Sequence, residues 1–319
     1  MRVHVVHAVP HSSSAYGIAE DGFTAAMELV AQRCDVRWLN IHPYNDDAAA
    51  QAAAIPDADF VLVRSDWLWL PTQAADKALH GLDVPVGLLI AGSTLPPPLV
   101  QMKRFDVLFH ETPWYAQHVR EHPYAVQAFG VDTRVMRNLR RPERTYDWVM
   151  VGRLAGFKRP ERFLHKTGRR LAIGDLSVPR PDIEQALRDD GVEVRDQQTH
   201  ADLAALYNDA HGVFVPCELQ GGGERAVLEG RACGCTIEIA EDNPKLASLL
   251  DCPIWSHEEY AEKLWTAIGA VLGGRRVPRA EKLRGQRARR TAVLLDKARR
   301  APSTVVIRGR DALARRRSG

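Results

Sequence analysis

Three consecutive glycines, Gly221, Gly222 and Gly223, stand between a strand-like run ending near Pro216 and a helix-like run starting near Glu224. Lacking side chains, they let the backbone approach a ligand closely with its N–H groups aimed outward. The helix start behind them adds unsatisfied donors and the positive end of a dipole, a natural seat for a diphosphate. Glu229, on that helix, can accept hydrogen bonds from a ribose diol. Gly230, Ala232 and Gly234 are small enough to let the helix lie close to a sheet. Two more cations, Arg153 and Lys158, follow the apolar run 148–151. Just past a strand end is where ligands bind in open α/β sheets, and such a pair can stabilise the charge on a diphosphate as a sugar bond breaks. A plain turn explains the glycines alone, and solvated charges explain the cations alone. Their combination is what points to a nucleotide.

The segments that must position these groups alternate in type. Runs at 3–6, 36–41, 59–64, 84–91 and 105–109 are short and apolar, with helix-length stretches between them such as 21–33. After a charged, proline-containing linker at 137–144 the pattern restarts at 148–151 and continues through 170–173, 192–194, 213–215 and 236–239. Such alternation predicts parallel sheets covered on both faces. The restart predicts two Rossmann-like domains, 1–140 and 145–274, with a basic helical or tail segment at 275–319. Thr199 to Asp202 and Ser256 to Glu259 read as capping boxes opening helices. The second helix carries Leu264, Ala267, Ile268 and Val271 at helical spacing and stops at Gly273.

Composition excludes several classes. A chain of 319 residues, 45% hydrophobic and 26% charged, suits two ordinary domains and is too apolar for disorder. No apolar run approaches a membrane span, and the first residues read as a strand rather than a signal peptide. Cys34, Cys217, Cys233, Cys235 and Cys252 form neither an even framework nor a CxxC pair, so buried thiols in a reducing cytoplasm are expected, with no metal site. The first strand is followed by His7-Ala8-Val9-Pro10-His11. That lacks the GxGxxG fingerprint of a nicotinamide-dependent oxidoreductase.

Several motifs in order carry a resemblance: Phe129-Gly130-Val131-Asp132, Val151-Gly152-Arg153 with Lys158, the run 212–216, and Leu228-Glu229-Gly230-Arg231-Ala232-Cys233-Gly234. Across about residues 125–275 the chain resembles retaining GT-B glycosyltransferases of family 4. The resemblance implies an α/β GT-B fold: two facing Rossmann-like domains with an interdomain cleft, the nucleotide-sugar donor on the second and the acceptor on the first. It implies that Arg153 and Lys158 bind the diphosphate of a UDP- or GDP-sugar and that Glu229 binds its ribose. It implies transfer with retention, without a cofactor, a required metal or a protein nucleophile. One departure stands out. The family's two motif glutamates are eight positions apart, and Gly221 occupies the first position here. Glu218 and Glu224 are the candidates for the missing catalytic carboxylate, with Glu218 narrowly preferred, and the three glycines can instead act through backbone N–H groups.

The acceptor side is sparser. Tyr16 and Gly17 stand where relatives have a glycine-rich loop. Ser93 follows the fourth strand, and His110 and Glu111 follow the fifth. Trp67, Trp69, Trp114 and Tyr115 cluster at strand ends, where they can stack on a sugar or base. The net charge of +3 hides a segregation: from Arg275 onward there are 16 Lys and Arg against three acids. An acidic body with a basic end is a statement about partners. DNA carrying a hydroxymethylated pyrimidine is the leading acceptor, with an anionic membrane surface presenting a lipid, a protein or a small molecule as alternatives. A sugar-nucleotide epimerase and a non-catalytic nucleic-acid-binding GT-B module are the competing functions.

Overall fold

The computed structural model describes residues 1–8, 20–42, 45–65, 79, 83–90, 99–176, 180–295 and 298. Two separate parallel sheets organise them. The first contains β1 (Arg2–His7), β2 (Asp35–Asn40), β3 (Phe60–Ser65), β4 (Val86–Ile90), β5 (Val107–His110) and β6 (Ala125–Gln127), in the order β2-β1-β3-β4-β5-β6. The second contains β7 (Tyr146–Val151), β8 (Arg170–Ile173), β9 (Glu193–Arg195), β10 (Ala210–Val215) and β11 (Thr236–Ile239), in the order β11-β10-β7-β8-β9. Every residue of β4, β5 and β8 is buried, as expected for strands covered on both faces.

The helices are α1 (Gly22–Ala31), α2 (Ala48–Ala53), α3 (Leu99–Met102), α4 (Pro113–Val119), α5 (Pro181–Asp189), α6 (His200–Asn208), α7 (Glu224–Ala232), α8 (Pro244–Ala247), α9 (His257–Leu272) and α10 (279–295). The two expected caps differ in detail. Ser256 and Glu259 form a reciprocal box at α9, with bonds of 2.8 and 3.2 Å. At α6 the Thr199 hydroxyl accepts from Asp202 N at 3.1 Å, but the Asp202 carboxylate accepts from that same hydroxyl rather than from the backbone.

Packing divides the chain differently from the expected boundaries. Helix α9, expected in the second domain, buries Tyr260, Leu264, Ile268 and Val271 against Val3, Val5, Phe23 and Met27 of the first. Helical spacing shows that such a face is buried; it does not show against what. The chain crosses over before the expected linker, since Phe129, Val131 and Met136 already belong to the second core. Residues 137–144 lie after the crossing and are pinned there: Asn208 Nδ2 donates to Arg137 O at 3.0 Å, and Leu139 N donates to Asn208 Oδ1 at 2.7 Å. At the crossing, a Cβ on Gly22 would collide with Gly130 O, and one on Gly130 would fall 2.6 Å from Ser256 O. Only glycine fits at either place.

The basic segment begins as a docked helix. Buried Asp106, just before β5, accepts from Lys282 Nζ at 2.6 Å and from Val277 N at 3.2 Å. Lys103 pairs with Glu281 at 2.9 Å. Arg289 is buried, while Arg279, Arg284, Arg287 and Arg290 are exposed. The cluster Arg315, Arg316 and Arg317 lies outside the described residues.

Candidate functional site

In the second sheet β8 lies on one side of β7 and β10 on the other, so the strand order reverses between β7 and β10. Ligands of open α/β sheets bind outside the carboxyl ends of the strands at such a switch point. The residues leaving β7 are Gly152 and Arg153, followed by a helical turn, Gly156–Lys158. Those leaving β10 are Cys217, Glu218 and the three glycines. The turn bends Lys158 back over the crevice, so that its Nζ lies 3.6 Å from the point a Gly152 Cβ would occupy and 3.3 Å from the corresponding point at Gly222. Arg153 reaches the rim, where its Nε is 3.8 Å from Asp175.

The glycines are there for backbone reasons. Gly222 and Gly223 have φ of 74° and 102°, which L side chains rarely adopt. A Cβ on Gly223 would fall 2.7 Å from Val215 Cγ1, and one on Gly221 would collide with Phe157 O. Gly223 then serves as the cap of α7 and itself offers the first turn no side-chain acceptor. The sequence-predicted phosphate seat, Lys158 with Gly221, Gly222 and Gly223, is therefore brought together at one helix start.

The glutamates separate into three environments. Glu218 is half-exposed and faces Arg159 at 3.5 Å, which is itself held by two 2.7 Å bonds to Asp242. Glu224 is buried at the start of α7 beside fully buried Lys245, whose Nζ lies 2.5 Å from Glu224 Oε1 without hydrogen-bond angles. Its other oxygen lies 3.6 Å from the Gly222 Cβ point, on the crevice side. Glu229 is buried five residues on, with His200 Nε2 at 3.8 Å from its Oε1. Burial alone lowers the imidazole pKa, but Glu229, with Asp132 and Asp21 beyond it, outweighs that and holds it above its ordinary value. Helix α8 clamps the whole loop, since Asn243 Nδ2 donates to Cys217 O at 2.9 Å and to Glu218 O at 3.1 Å.

The first domain closes the opposite wall. Asp21 caps α1 with one oxygen, and its other oxygen lies 3.2 Å from Arg225 of α7 and 3.6 Å from Arg64 of β3. His110 ends β5, and its Nδ1 donates to Thr112 O at 2.9 Å. Burial pushes its pKa below the ordinary value, against the opposing bond to Thr112 O. Glu111 is buried next to it and within electrostatic reach of Arg225. Trp114 approaches the second domain through its backbone N–H, which donates to Ser248 Oγ at 3.3 Å, and Tyr115 is buried in the first core. Tyr16, Gly17, Trp67, Trp69 and Ser93 lie outside the described residues. Sequence reasoning missed Asp21, Arg64, Arg225, His200, Asn243 and Lys245. The Asn-Pro at 243–244 does signal a helix cap; nothing local signals that the following lysine is buried against Glu224. Among the described residues no group of His, Cys, Asp and Glu is arranged to hold a metal.

No protein-family model matches the sequence, and no curated protein matches it. Its fold does match solved structures. AviGT4, a glycosyltransferase involved in avilamycin A biosynthesis, is similar with a TM-score of 0.57 at 14% identity, over 86% of this chain and 98% of that one. Sucrose-phosphate synthase from Thermosynechococcus elongatus gives 0.54 at 12% identity, over 95% and 99%. An alpha-glucosyltransferase in complex with UDP-glucose and DNA containing an abasic site gives 0.50 at 12%, over 90% and 95%. A UDP-GlcNAc 2-epimerase from Neisseria meningitidis bound to UDP-GlcNAc gives 0.51 at 12%, over 92% and 100%. The chain has the GT-B fold, two Rossmann-like domains facing across a cleft, and is structurally similar to GT-B glycosyltransferases over most of its length. At these identities the likeness extends to the fold alone, and the chemistry of the site rests on its own residues.

Proposed function

We propose that the protein is a retaining glycosyltransferase that moves a sugar from a UDP- or GDP-sugar to a hydroxyl acceptor. The observation that carries this is the convergence of Lys158, the three-glycine loop and the start of α7 on the β7–β10 switch point, with Glu229 on the same helix. Lys158, Arg153 and the loop N–H groups bind the diphosphate and stabilise its charge as the bond to the sugar breaks. Glu229 accepts from the ribose. Gly222 stands between the Lys158 ammonium and the Glu224 carboxylate, so Glu224 rather than Glu218 takes the sugar hydroxyls. The acceptor hydroxyl approaches from the first domain, near His110 and Glu111, and its proton leaves with the diphosphate.

The acceptor put first is a hydroxymethylated pyrimidine in DNA. It is supported by the arginine surplus of the C-terminal segment and by a fold shared with the DNA-bound alpha-glucosyltransferase. A lipid in an anionic membrane surface is the second reading, favoured by Leu294 and Leu295, which are 66% and 55% exposed among the arginines of α10. A reducing, cytoplasmic setting completes the proposal and suits Cys233 and Cys235, whose burial pushes the thiols up to about 12 and about 11. The test pairs UDP- and GDP-sugars with hydroxymethylated DNA, unmodified DNA and anionic vesicles, reading products by mass spectrometry. Sugar added to one acceptor supports transfer. A sugar nucleotide epimerised without any acceptor would make the chain an epimerase, and no thermal stabilisation by any nucleotide sugar would remove the donor site.

A further inference from the structure

The pair formed by Glu224 and Lys245 demands an explanation. Two opposite charges are almost fully buried, more than twenty positions apart in sequence and on different helices, directly behind the glycine loop. Burying an ion pair is seldom a gain in stability over apolar side chains of similar size, because both ions lose their water. The pair has two distinct ends. Glu224 Oε1 faces Lys245, while Oε2 points towards Gly222, on the side where Lys158 also converges.

From this arrangement we infer that Lys245 is a positioning residue for donor-sugar recognition: it holds the Glu224 carboxylate oriented so that Oε2 accepts from hydroxyls of the transferred sugar. The inference rests on the donor site proposed above and adds a residue and a task to it. Lys245 does not touch the donor itself, since its ammonium is enclosed. It is placed by α8, the element whose Asn243 already ties Cys217 O and Glu218 O, so one four-residue helix sets both the loop backbone and the carboxylate behind it. The position vacated by the family's first motif glutamate, now Gly221, is thereby served from the helix rather than the loop. From across the cleft, Tyr115 of α4 is within electrostatic reach of Glu224. The charged and titratable groups around the carboxylate are thus Lys245, Lys158, Cys217 and Tyr115.

The prediction separates the nucleotide from the sugar. Equilibrium binding of UDP and of UDP-glucose, and of GDP and GDP-mannose, is measured for wild type, Lys245→Met, Lys245→Arg and the double variant Glu224→Gln with Lys245→Gln. The double variant keeps an uncharged pair of similar size and guards against simple unfolding of Lys245→Met. In Lys245→Met and in the double variant, affinity for the nucleoside diphosphate should stay within about twofold. The affinity of the sugar conjugate relative to the diphosphate should fall about tenfold or more, the size of one charged hydrogen bond. Lys245→Arg, which keeps the charge, should recover part of it. Turnover should show the same split, with the donor KM raised and product inhibition by the free diphosphate unchanged. A folded double variant that discriminates sugar conjugate from diphosphate as well as wild type would overturn the inference and leave the pair as packing. Failure of wild type to bind any of these nucleotides would instead remove the donor site, and this inference with it.

Discussion

On the proposed donor site Lys158 and Glu229 divide the donor between them, and each should fail in its own way. Lys158 reaches the crevice from a short turn after β7, so on the proposed reading Lys158→Ala should lose the diphosphate contact and leave the loop intact. Glu229→Ala removes a carboxylate from a buried helix face, the one proposed to accept from the ribose. Charged hydrogen bonds of this kind contribute roughly 1.5–3 kcal/mol, so kcat/KM for the donor should drop about tenfold or more in each variant. Wild-type kinetics in both would remove these residues from the donor site. The neighbouring imidazole offers a check on its contact with Glu229. His200 has a pKa raised in the folded state, so the stability it contributes is fully present below its ordinary value of about 6.5 and is lost as pH rises through the folded value. The melting temperature of His200→Gln should therefore lie furthest below wild type in mild acid, and the gap should narrow as pH rises above about 6.5. A gap that does not change with pH would mean that the carboxylate does not hold the ring charged.

At the scale of elements, the glycine loop and α9 are the two parts whose failure is most specific. Gly223→Ala puts a side chain at φ 102° and against Val215, at the point where α7 begins. Strain of this type costs on the order of 1–3 kcal/mol, so the variant should melt lower and lose donor binding together. Leu264→Ala should destabilise the first sheet, not the second, by about 2–5 kcal/mol, because its side chain is fully buried among Val5, Phe23 and Met27. Hydrogen exchange should show faster opening in β1 and α1 with β7 and β10 unaffected; loosening of the second sheet instead would contradict the packing described. These same elements show how far the sequence can be read. Strands β1 to β5 and β7 to β11 announce themselves as short apolar runs, and the glycine loop announces its helix. Strand β6 was missed because three residues, Ala125–Gln127, half-buried at the sheet edge, carry no usable period. The seat of α9 was missed because periodicity marks a buried face and is silent about which sheet covers it. The ionic contacts Arg225 to Asp21, across 204 positions, and Lys245 to Glu224 are likewise decided by the folded arrangement, not by local pattern.

For the whole molecule, the question is how the charge segregation relates to the cleft. Asp106 ties α10 to the beginning of β5, whereas His110 and Glu111 stand at its end. At about 3.3 Å per residue that places the docking point about 13 Å from His110, at the opposite end of the sheet. Lys282 is occupied by Asp106, Arg275 lies over Tyr124 at 3.7 Å and Arg289 is buried. Part of the basic surplus is therefore committed to holding α10 on the first domain. Arg284, Arg287 and Arg290 remain exposed, and on a DNA substrate they would contact phosphates away from the reacting base. Such contacts give affinity without sequence or base selectivity. Replacing these three by alanine should weaken DNA binding and reduce the log–log salt slope by about 3 in magnitude, since each phosphate contact contributes about 0.9. The donor KM should not move, because the crevice at β7 and β10 lies in the other domain. The rate at saturating DNA should also hold, because the three arginines stand apart from His110, Glu111 and the glycine loop. An unchanged slope would show that α10 does not touch DNA, and would shift attention to the arginines at 315–317. A slope reduced together with a raised donor KM would show that the two domains communicate through α10, which its docking on Asp106 gives no means to do.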